Sequence, residues 1–158
     1  MVDVSLSHSG DYVAAAISGR GAIGIDVELE REPLVGVEER CFTPSELAWL
    51  RSEGNERAGR FIRLWTLKEA YVKATGEGLD ADLRSISFHL NGPSPELTVE
   101  GKRWHFRSWK LAGAWLSVCT AHWPARRDLE LIEIRDLVET AAAGALPQRP
   151  GNSLGEFW

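Results

Sequence analysis

The sequence predicts one α+β domain in which the helices pack on one face of an antiparallel sheet. Three observations predict it: β-favouring runs near the amino terminus and again between residues 86 and 120, helical periodicity between them, and turn-forming clusters between neighbouring strands. The chain has 158 residues, of which 44% are hydrophobic, enough to bury the core of one domain. We place the domain at residues 1–143 and expect residues 144–158, which have little periodicity, to form a disordered tail.

The first elements are strands. Residues 4–7 and 12–17 are apolar, β-favouring runs, and the Ser-Gly-Asp cluster between them is typical of a tight turn. We therefore expect a hairpin that turns at residues 8–11. A third strand is expected at residues 22–27.

Two helices follow. Thr43 can cap a helix, Pro44 suits the first helical position and Glu46 can complete a capping box, so a helix should begin there and continue to about residue 51. From residue 55 to about residue 74 apolar residues recur with helical spacing, and the pattern ends before Gly76. This is the longest predicted helix.

The remaining elements are mostly short strands. Residues 86–90, 96–99, 104–109 and 114–120 are β-favouring, and several alternate between apolar and polar positions. Together they predict an antiparallel meander. Residues 129–134 predict a further strand, and residues 136–142 predict a short helix.

Composition excludes several functional classes. The formal net charge is −5 and the basic residues are dispersed, which predicts no binding to nucleic acid or to an anionic membrane surface. No apolar run approaches the ~20 residues that a membrane span needs, and the first residues do not resemble a secretory signal, so we expect a cytoplasmic protein. Cys41 and Cys119 are far apart in sequence and are interpreted as reduced core residues.

A pair of carboxylates lies on the third predicted strand. Asp26 and Glu28 are two positions apart, so the period of a strand directs both side chains to one face. Such a pair repels itself unless a cation lies between the two groups, and Mg²⁺ prefers carboxylate and phosphate oxygens. A solvated strand face is the alternative interpretation of these two residues alone.

The long helix adds a second charged cluster. Glu69 and Lys73 are four positions apart and therefore lie on adjacent turns of one face, with Lys68 beside them. They could equally form an ordinary surface ion pair. Because Ser7 and His8 add hydrogen-bond donors at the first turn, one phosphoanhydride ligand would employ all of these groups. His8 alone would be interpreted as a surface residue.

Four motifs carry a family resemblance. In order and spacing the chain resembles the Sfp-type 4′-phosphopantetheinyl transferases, and the resemblance covers roughly residues 4–122. The motifs are Ser7-His8-Ser9, Gly24-Ile25-Asp26-Val27-Glu28, Phe42-Thr43-Pro44-Ser45-Glu46, and residues 65–79, which read Trp-Thr-Leu-Lys-Glu-Ala-Tyr-Val-Lys-Ala-Thr-Gly-Glu-Gly-Leu.

The resemblance implies an activity and roles for residues. It implies Mg²⁺-dependent transfer of the phosphopantetheine arm of coenzyme A to a serine of an apo acyl or peptidyl carrier protein, with Mn²⁺ as an alternative ion. Asp26, Glu28 and Glu69 resemble the metal ligands, and Glu69 also resembles the base. Lys73 resembles a catalytic cation that holds coenzyme phosphates. Ser7, His8 and Lys68 are the other candidate coenzyme-binding residues.

The resemblance is to one half of the family's usual chain. That chain has two similar halves, and this sequence begins just before the motifs of the second, so it resembles a half-domain. Three explanations stay open: the chain self-associates to rebuild the cleft, it is a fragment, or it is a decayed relative. A noncatalytic module that binds a carrier protein or coenzyme A is the alternative function.

Overall fold

A computed structural model describes residues 2–52, 56–90, 94–99 and 103–122, which all belong to one compact unit. The strand and helix predicted beyond residue 128, the domain boundary at residue 143 and the predicted tail lie outside the described residues. The elements, in chain order, are β1 (Asp3–Ser9), β2 (Tyr12–Ser18), β3 (Ile23–Leu29), α1 (Val37–Cys41), α2 (Pro44–Leu50), α3 (Arg57–Thr75), β4 (Ser87–His89), β5 (Glu96–Thr98), β6 (His105–Leu111) and β7 (Ala114–Thr120).

The predicted α+β fold is confirmed. In the central sheet β7 lies between β3 and β6, and both pairings are antiparallel. The long helix α3 packs across β3 and β7 and buries an apolar stripe that includes Phe61, Ile62 and Leu67. At the other end of the helix Gly76 adopts the left-handed conformation, with φ 76°, that ends many helices.

The predicted meander is wrong in its connections. Of the described strands, β4 and β5 pair only with each other in a small separate sheet, whereas β6 and β7 join β3. The reason lies in α2, whose Glu46 side chain accepts a hydrogen bond from the Phe88 N–H of β4 at 2.8 Å. β4 is thus bound to a helix rather than aligned with the central sheet.

Helix α2 begins as the sequence predicts. The Thr43 hydroxyl accepts from the Glu46 N–H, and the Glu46 carboxylate accepts from the Thr43 N–H, which together form a capping box. The five-residue helix α1 was not predicted, because it is too short to show helical periodicity. Cys41 is half-buried and Cys119 is buried, and both thiols are free, as expected.

The amino-terminal hairpin joins the central sheet through side chains. Alternate residues of β1 reach the outer edge of β3, where their oxygen atoms accept hydrogen bonds from its backbone N–H groups at 2.9–3.2 Å. We call this contact the serine seam; its four pairs are Asp3 with Ile23, Ser5 with Ile25, Ser7 with Val27 and Ser9 with Leu29. The seam satisfies an edge that β7 leaves unpaired.

The other face of the hairpin is apolar and exposed. It presents large hydrophobic side chains that are 54–70% exposed, and these are Val4, Leu6, Val13 and Ile17. Val4 lies opposite Ile17 in the β1–β2 register, so the side chains form one patch, the hairpin face. Monomeric proteins rarely expose contiguous apolar patches larger than a few hundred Å².

Within the part of the chain that the structure describes, no helix is long and apolar enough to cross a membrane.

The contact between α3 and β3 depends on Gly24. A Cβ atom at this position would overlap the Ala70 carbonyl oxygen and would lie 2.7 Å from the Ala74 nitrogen, both backbone atoms of α3. We expect Gly24→Ala to lower the free energy of unfolding by about 3 kcal/mol, because the helix must move off the strand. Urea denaturation measures this change.

Gly19 offers a matched control. A Cβ atom at this position would have no neighbouring atom within 4 Å, and the residue has no positive φ. Gly19→Ala should change stability by less than about 0.5 kcal/mol. Equal effects of the two substitutions would contradict the close packing of α3 on β3.

Candidate active site

Asp26, Glu69 and Lys73 meet where α3 crosses β3. Gly24, Asp26 and Glu28 occupy alternate positions of β3 and share the face that meets α3, as the strand period predicts. From the helix, Lys73 donates a hydrogen bond to Asp26 Oδ1 at 2.7 Å. Glu69, one turn earlier on α3, is half-buried beside them.

Lys73 is held at three points. Besides Asp26, its ammonium donates to the Ile25 carbonyl at 3.1 Å and to the Leu6 carbonyl at 3.4 Å. These partners belong to β3 and β1, so a single cation joins α3 to both strands. The side chain is 31% exposed, against 6% for Asp26.

Burial and neighbouring charges raise the pKa of Asp26 and of Glu69. Burial raises the pKa of Asp26, the hydrogen bonds and charge of Lys73 and Ser7 oppose that rise, and the Glu28 charge adds to it. Burial also raises the pKa of Glu69, the Asp26 and Glu28 charges raise it further, and Lys73 opposes them. Asp26, Glu28 and Glu69 are thus three carboxylates that share the site with two cations, Lys73 on Asp26 and Arg31 on Glu28.

The donor set fits a divalent cation. Asp26 Oδ2 is buried and has no hydrogen-bond partner, so it is an orphaned acceptor inside the acidic cluster. Carboxylate oxygens are the ligands that Mg²⁺ prefers. In the described residues, however, no three His, Cys, Asp or Glu side chains lie as close together as a metal site needs. A metal ion would have to draw the carboxylates closer.

Glu28, like Asp26, already has partners within the protein. Glu28 Oε2 accepts from the Ser9 hydroxyl at 2.8 Å and from Arg31 at 2.9 Å. From the sequence, Ser9 was noted only within the Ser7-His8-Ser9 motif, its contact with Glu28 was not predicted, and Arg31 was not singled out. The alternation of serines in β1 could have indicated the role of Ser9, because it places Ser7 and Ser9 on the same face of the strand.

Ser7 and His8 lie on opposite faces of β1. The Ser7 hydroxyl donates to Asp26 Oδ1 at 2.8 Å and accepts from the Val27 N–H at 3.2 Å. The structure thus brings Ser7 to the acidic cluster, where it orients the carboxylate of Asp26. His8 is exposed on the hairpin face, opposite Val13, and is not brought to Asp26.

The environment of Lys68 does not suit a coenzyme-binding role, because the side chain has no exposed surface. Its side chain is fully buried, and its ammonium lies 2.7 Å from Glu46 Oε2, itself fully buried. The same ammonium donates to the carbonyls of Cys41 at 2.8 Å and Leu83 at 2.7 Å. These contacts use all three donors of the ammonium. The structure therefore corrects the sequence-based assignment of Lys68 to coenzyme phosphate. Lys68 instead forms a buried ion pair that joins α3 to α2.

Comparison with known proteins identifies the family. Residues 22–122 match the family model described as the 4′-phosphopantetheinyl transferase superfamily. The chain belongs to this superfamily. The matched region contains β3, α3 and β7 and hence Asp26, Glu28, Glu69 and Lys73.

Curated relatives in this superfamily are longer than the chain. Over 103 residues the chain is 32% identical to the 4′-phosphopantetheinyl transferase gsp of Aneurinibacillus migulanus, covering 65% of the chain and 43% of that relative. It is 29% identical over 139 residues to Sfp of Bacillus subtilis strain 168, covering 85% of the chain and 62% of the relative. The resemblance to Sfp-type enzymes is thus confirmed, although the chain spans only about a third to two thirds of the relatives it matches.

Solved structures show the same fold. The holo-[acyl-carrier-protein] synthase of Neisseria meningitidis matches with a TM-score of 0.55 at 19% identity, covering 65% of the chain and 98% of that protein. The synthase of Bacillus anthracis str. Ames, solved in complex with CoA (3′,5′-ADP), matches with a TM-score of 0.55 at 21% identity, covering 62% and 92%. These similarities concern the fold alone.

Removing one partner of the buried Lys68–Glu46 pair should destabilise the fold strongly. Lys68→Met leaves the Glu46 carboxylate buried without its counter-charge, so we expect the free energy of unfolding to fall by about 3–5 kcal/mol in urea denaturation. Lys110→Met is the matched control, because Lys110 is 50% exposed and its carboxylate partners are 3.5 and 4.0 Å away. That substitution should cost less than about 1 kcal/mol. Similar losses in both variants would refute the structural role of Lys68.

Proposed function

We propose that this chain transfers the 4′-phosphopantetheine arm of coenzyme A to a serine hydroxyl of an apo carrier protein, in the presence of Mg²⁺. The observation that carries the proposal is the meeting of Asp26, Glu69 and Lys73 at the α3–β3 contact, with Asp26 Oδ2 buried and unpartnered. Carrier proteins of fatty-acid, polyketide or nonribosomal peptide synthesis are the proposed acceptors.

In this proposal Asp26, Glu28 and Glu69 hold the metal ion. Mg²⁺, or Mn²⁺ in its place, would offset the negative charge of the coenzyme's pyrophosphate. The unpartnered Oδ2 atom of Asp26 supports this assignment, and so does the proximity of the carboxylates, because the Glu28 charge acts on Asp26 and the Asp26 and Glu28 charges act on Glu69.

Glu69 is the proposed base. Without a bound metal ion, burial and the Asp26 and Glu28 charges raise its pKa, and its carboxylate lies in the acidic cluster with Lys73. It would take the proton of the attacking serine hydroxyl, directly or through water, while the serine oxygen forms its bond to the phosphorus that bears the pantetheine arm. The bond to adenosine 3′,5′-bisphosphate then breaks, and the bisphosphate leaves with the electron pair.

The remaining candidates have supporting roles. Lys73 would place its positive charge on the leaving phosphate. Ser7 would act through Asp26, whose carboxylate it orients, rather than by binding phosphate itself. His8 stays a proposed phosphate ligand for the part of the coenzyme that extends past β1, because its side chain is exposed there.

The cytoplasm is the proposed compartment. Both described cysteines are free thiols, which agrees with a reducing environment. A noncatalytic module that binds a carrier protein or coenzyme A is the second candidate function. The exposed hairpin face favours it, because a binding partner could cover this apolar surface. The face adjoins the site, since the backbone carbonyl of its Leu6 accepts a hydrogen bond from Lys73.

A transfer assay tests the proposal. Apo carrier proteins are incubated with the chain, coenzyme A and Mg²⁺, and their masses are measured by mass spectrometry. We expect a mass increase of one phosphopantetheine arm, and we expect chelation of the metal or Glu69→Gln to reduce the rate by at least about a hundredfold.

A matched control variant makes the assay decisive. Glu77→Gln, an exposed glutamate just after α3, should transfer at the rate of the unsubstituted chain. No transfer by folded protein with any carrier protein would contradict the proposed activity. Retained binding of coenzyme A in that case would favour the noncatalytic module.

We also propose that a second copy of the chain covers the hairpin face. The four hydrophobic side chains that define this face carry no charge, so two copies could bury them against each other without like-charge repulsion and leave His8 exposed next to the hairpin turn. We expect light scattering coupled to size-exclusion chromatography to give a mass above one chain, and Ile17→Lys to return it to one chain. Asp11→Lys in the hairpin turn adds positive charge outside the face and should leave the mass unchanged. A monomer at every concentration would contradict this proposal.

A further inference from the structure

We propose that Lys73 is an internal counter-ion which occupies Asp26 only until a divalent cation binds, and that its displacement couples cation binding to phosphate binding. This inference rests on the proposed metal site and adds to it an order of events. Lys73 would neutralise the acidic cluster in one state and bind the phosphate in the other.

The contacts of Lys73 define the first state. Its ammonium lies 2.7 Å from Asp26 Oδ1, and the carbonyls of Ile25 and Leu6 take its remaining donors at 3.1 and 3.4 Å. Every donor of the ammonium is thus directed at an oxygen of the protein.

The Lys73 ammonium and a divalent cation compete for the carboxylate of Asp26. Oδ1 already accepts from Lys73 and from the Ser7 hydroxyl, while Oδ2 is buried and has no partner. A divalent cation bound at Oδ2 would stand within a few ångströms of the Lys73 ammonium. Two positive charges at that separation repel each other strongly in a partly buried site. Lys73 must therefore leave Asp26 as the ion enters.

The neighbouring charges limit where the ammonium can go. Glu28 is already held by Ser9 and by Arg31, so it offers Lys73 little additional stabilisation. A phosphate bound beside the metal ion is a stronger acceptor and lies within the reach of the flexible four-carbon stem. The phosphate ligand thus accepts the displaced cation, which makes the binding of cation and phosphate mutually favourable.

The measurable consequence concerns a divalent ion in the absence of any phosphate. Without Lys73 the cluster keeps its negative charge and loses the competing cation, so the ion should bind more tightly. A lysine that acts only as a phosphate ligand predicts no such gain. The two roles therefore give different results before coenzyme A is added.

Mn²⁺ titrations followed by electron paramagnetic resonance of the free ion test the inference. We expect Lys73→Met to bind Mn²⁺ at least about fivefold more tightly than the unsubstituted chain. We expect coenzyme A to tighten Mn²⁺ binding by at least about fivefold in the unsubstituted chain and by much less in Lys73→Met. Lys73→Arg keeps the charge and should behave more like the unsubstituted chain.

Controls separate charge, folding and the metal site. Arg20→Met removes one positive charge from an exposed position in the turn after β2 and should leave Mn²⁺ affinity unchanged. Lys73→Gln is a second neutral variant, and circular dichroism melts identify which variants are folded. Asp26→Asn should weaken Mn²⁺ binding in every background.

The outcomes distinguish this inference from the proposed function. Equal Mn²⁺ affinity in the unsubstituted chain and in folded Lys73→Met or Lys73→Gln, with weaker binding by Asp26→Asn, would overturn the counter-ion role and leave the metal site intact. Failure of every folded variant to bind Mn²⁺ would overturn both. Tighter binding by both neutral variants, but not by Arg20→Met, supports the inference.

Discussion

The close contact between α3 and Gly24 of β3 is the constraint on which the rest of the site depends. Because Gly24 has no side chain, the backbone of Ala70 and Ala74 lies directly against the strand. Glu69 and Lys73 flank that contact on the helix, and Asp26 follows it on the strand, so the same approach brings their charges together. On another side of α3, the buried pair of Lys68 and Glu46 joins the helix to α2. The packing of the helix thus sets the electrostatics of the site.

The serine seam gives the hairpin two roles. Its serine oxygens accept from backbone N–H groups of β3, and two of the same hydroxyls, those of Ser7 and Ser9, donate to Asp26 and Glu28. A hydroxyl can do both because it carries one donor and two acceptor sites. The strand that closes the edge of the sheet therefore also orients the acidic side chains. Any movement of the hairpin would shift the carboxylates of Asp26 and Glu28, because these hydrogen bonds connect them.

Local patterns allowed much of this to be predicted from the sequence. The period of two placed Asp26 and Glu28 on one face, the capping box placed the start of α2 at Thr43, and helical spacing defined α3. From the sequence, both Lys68 and Lys73 were assigned to coenzyme phosphate, with Lys73 as the catalytic cation, because helical spacing does not show which ammonium meets a buried carboxylate. The separate β4–β5 sheet was missed for a similar reason, since it depends on a long-range bond from Phe88 to Glu46. Local periodicity therefore found the elements, whereas the tertiary partners of charged groups needed the structure.

The central claim is that Asp26, Glu28 and Glu69 form one binding site for a divalent cation. Paramagnetic broadening of backbone amide signals on addition of substoichiometric Mn²⁺ tests it most directly, because the effect falls off steeply with distance from the ion. We expect the signals of Asp26, Glu28 and Glu69 to disappear first and those of Glu39 and Glu56, which are carboxylates in other ion pairs, to persist. Broadening centred on Glu39 or Glu56, or spread evenly over all the acidic residues, would contradict it.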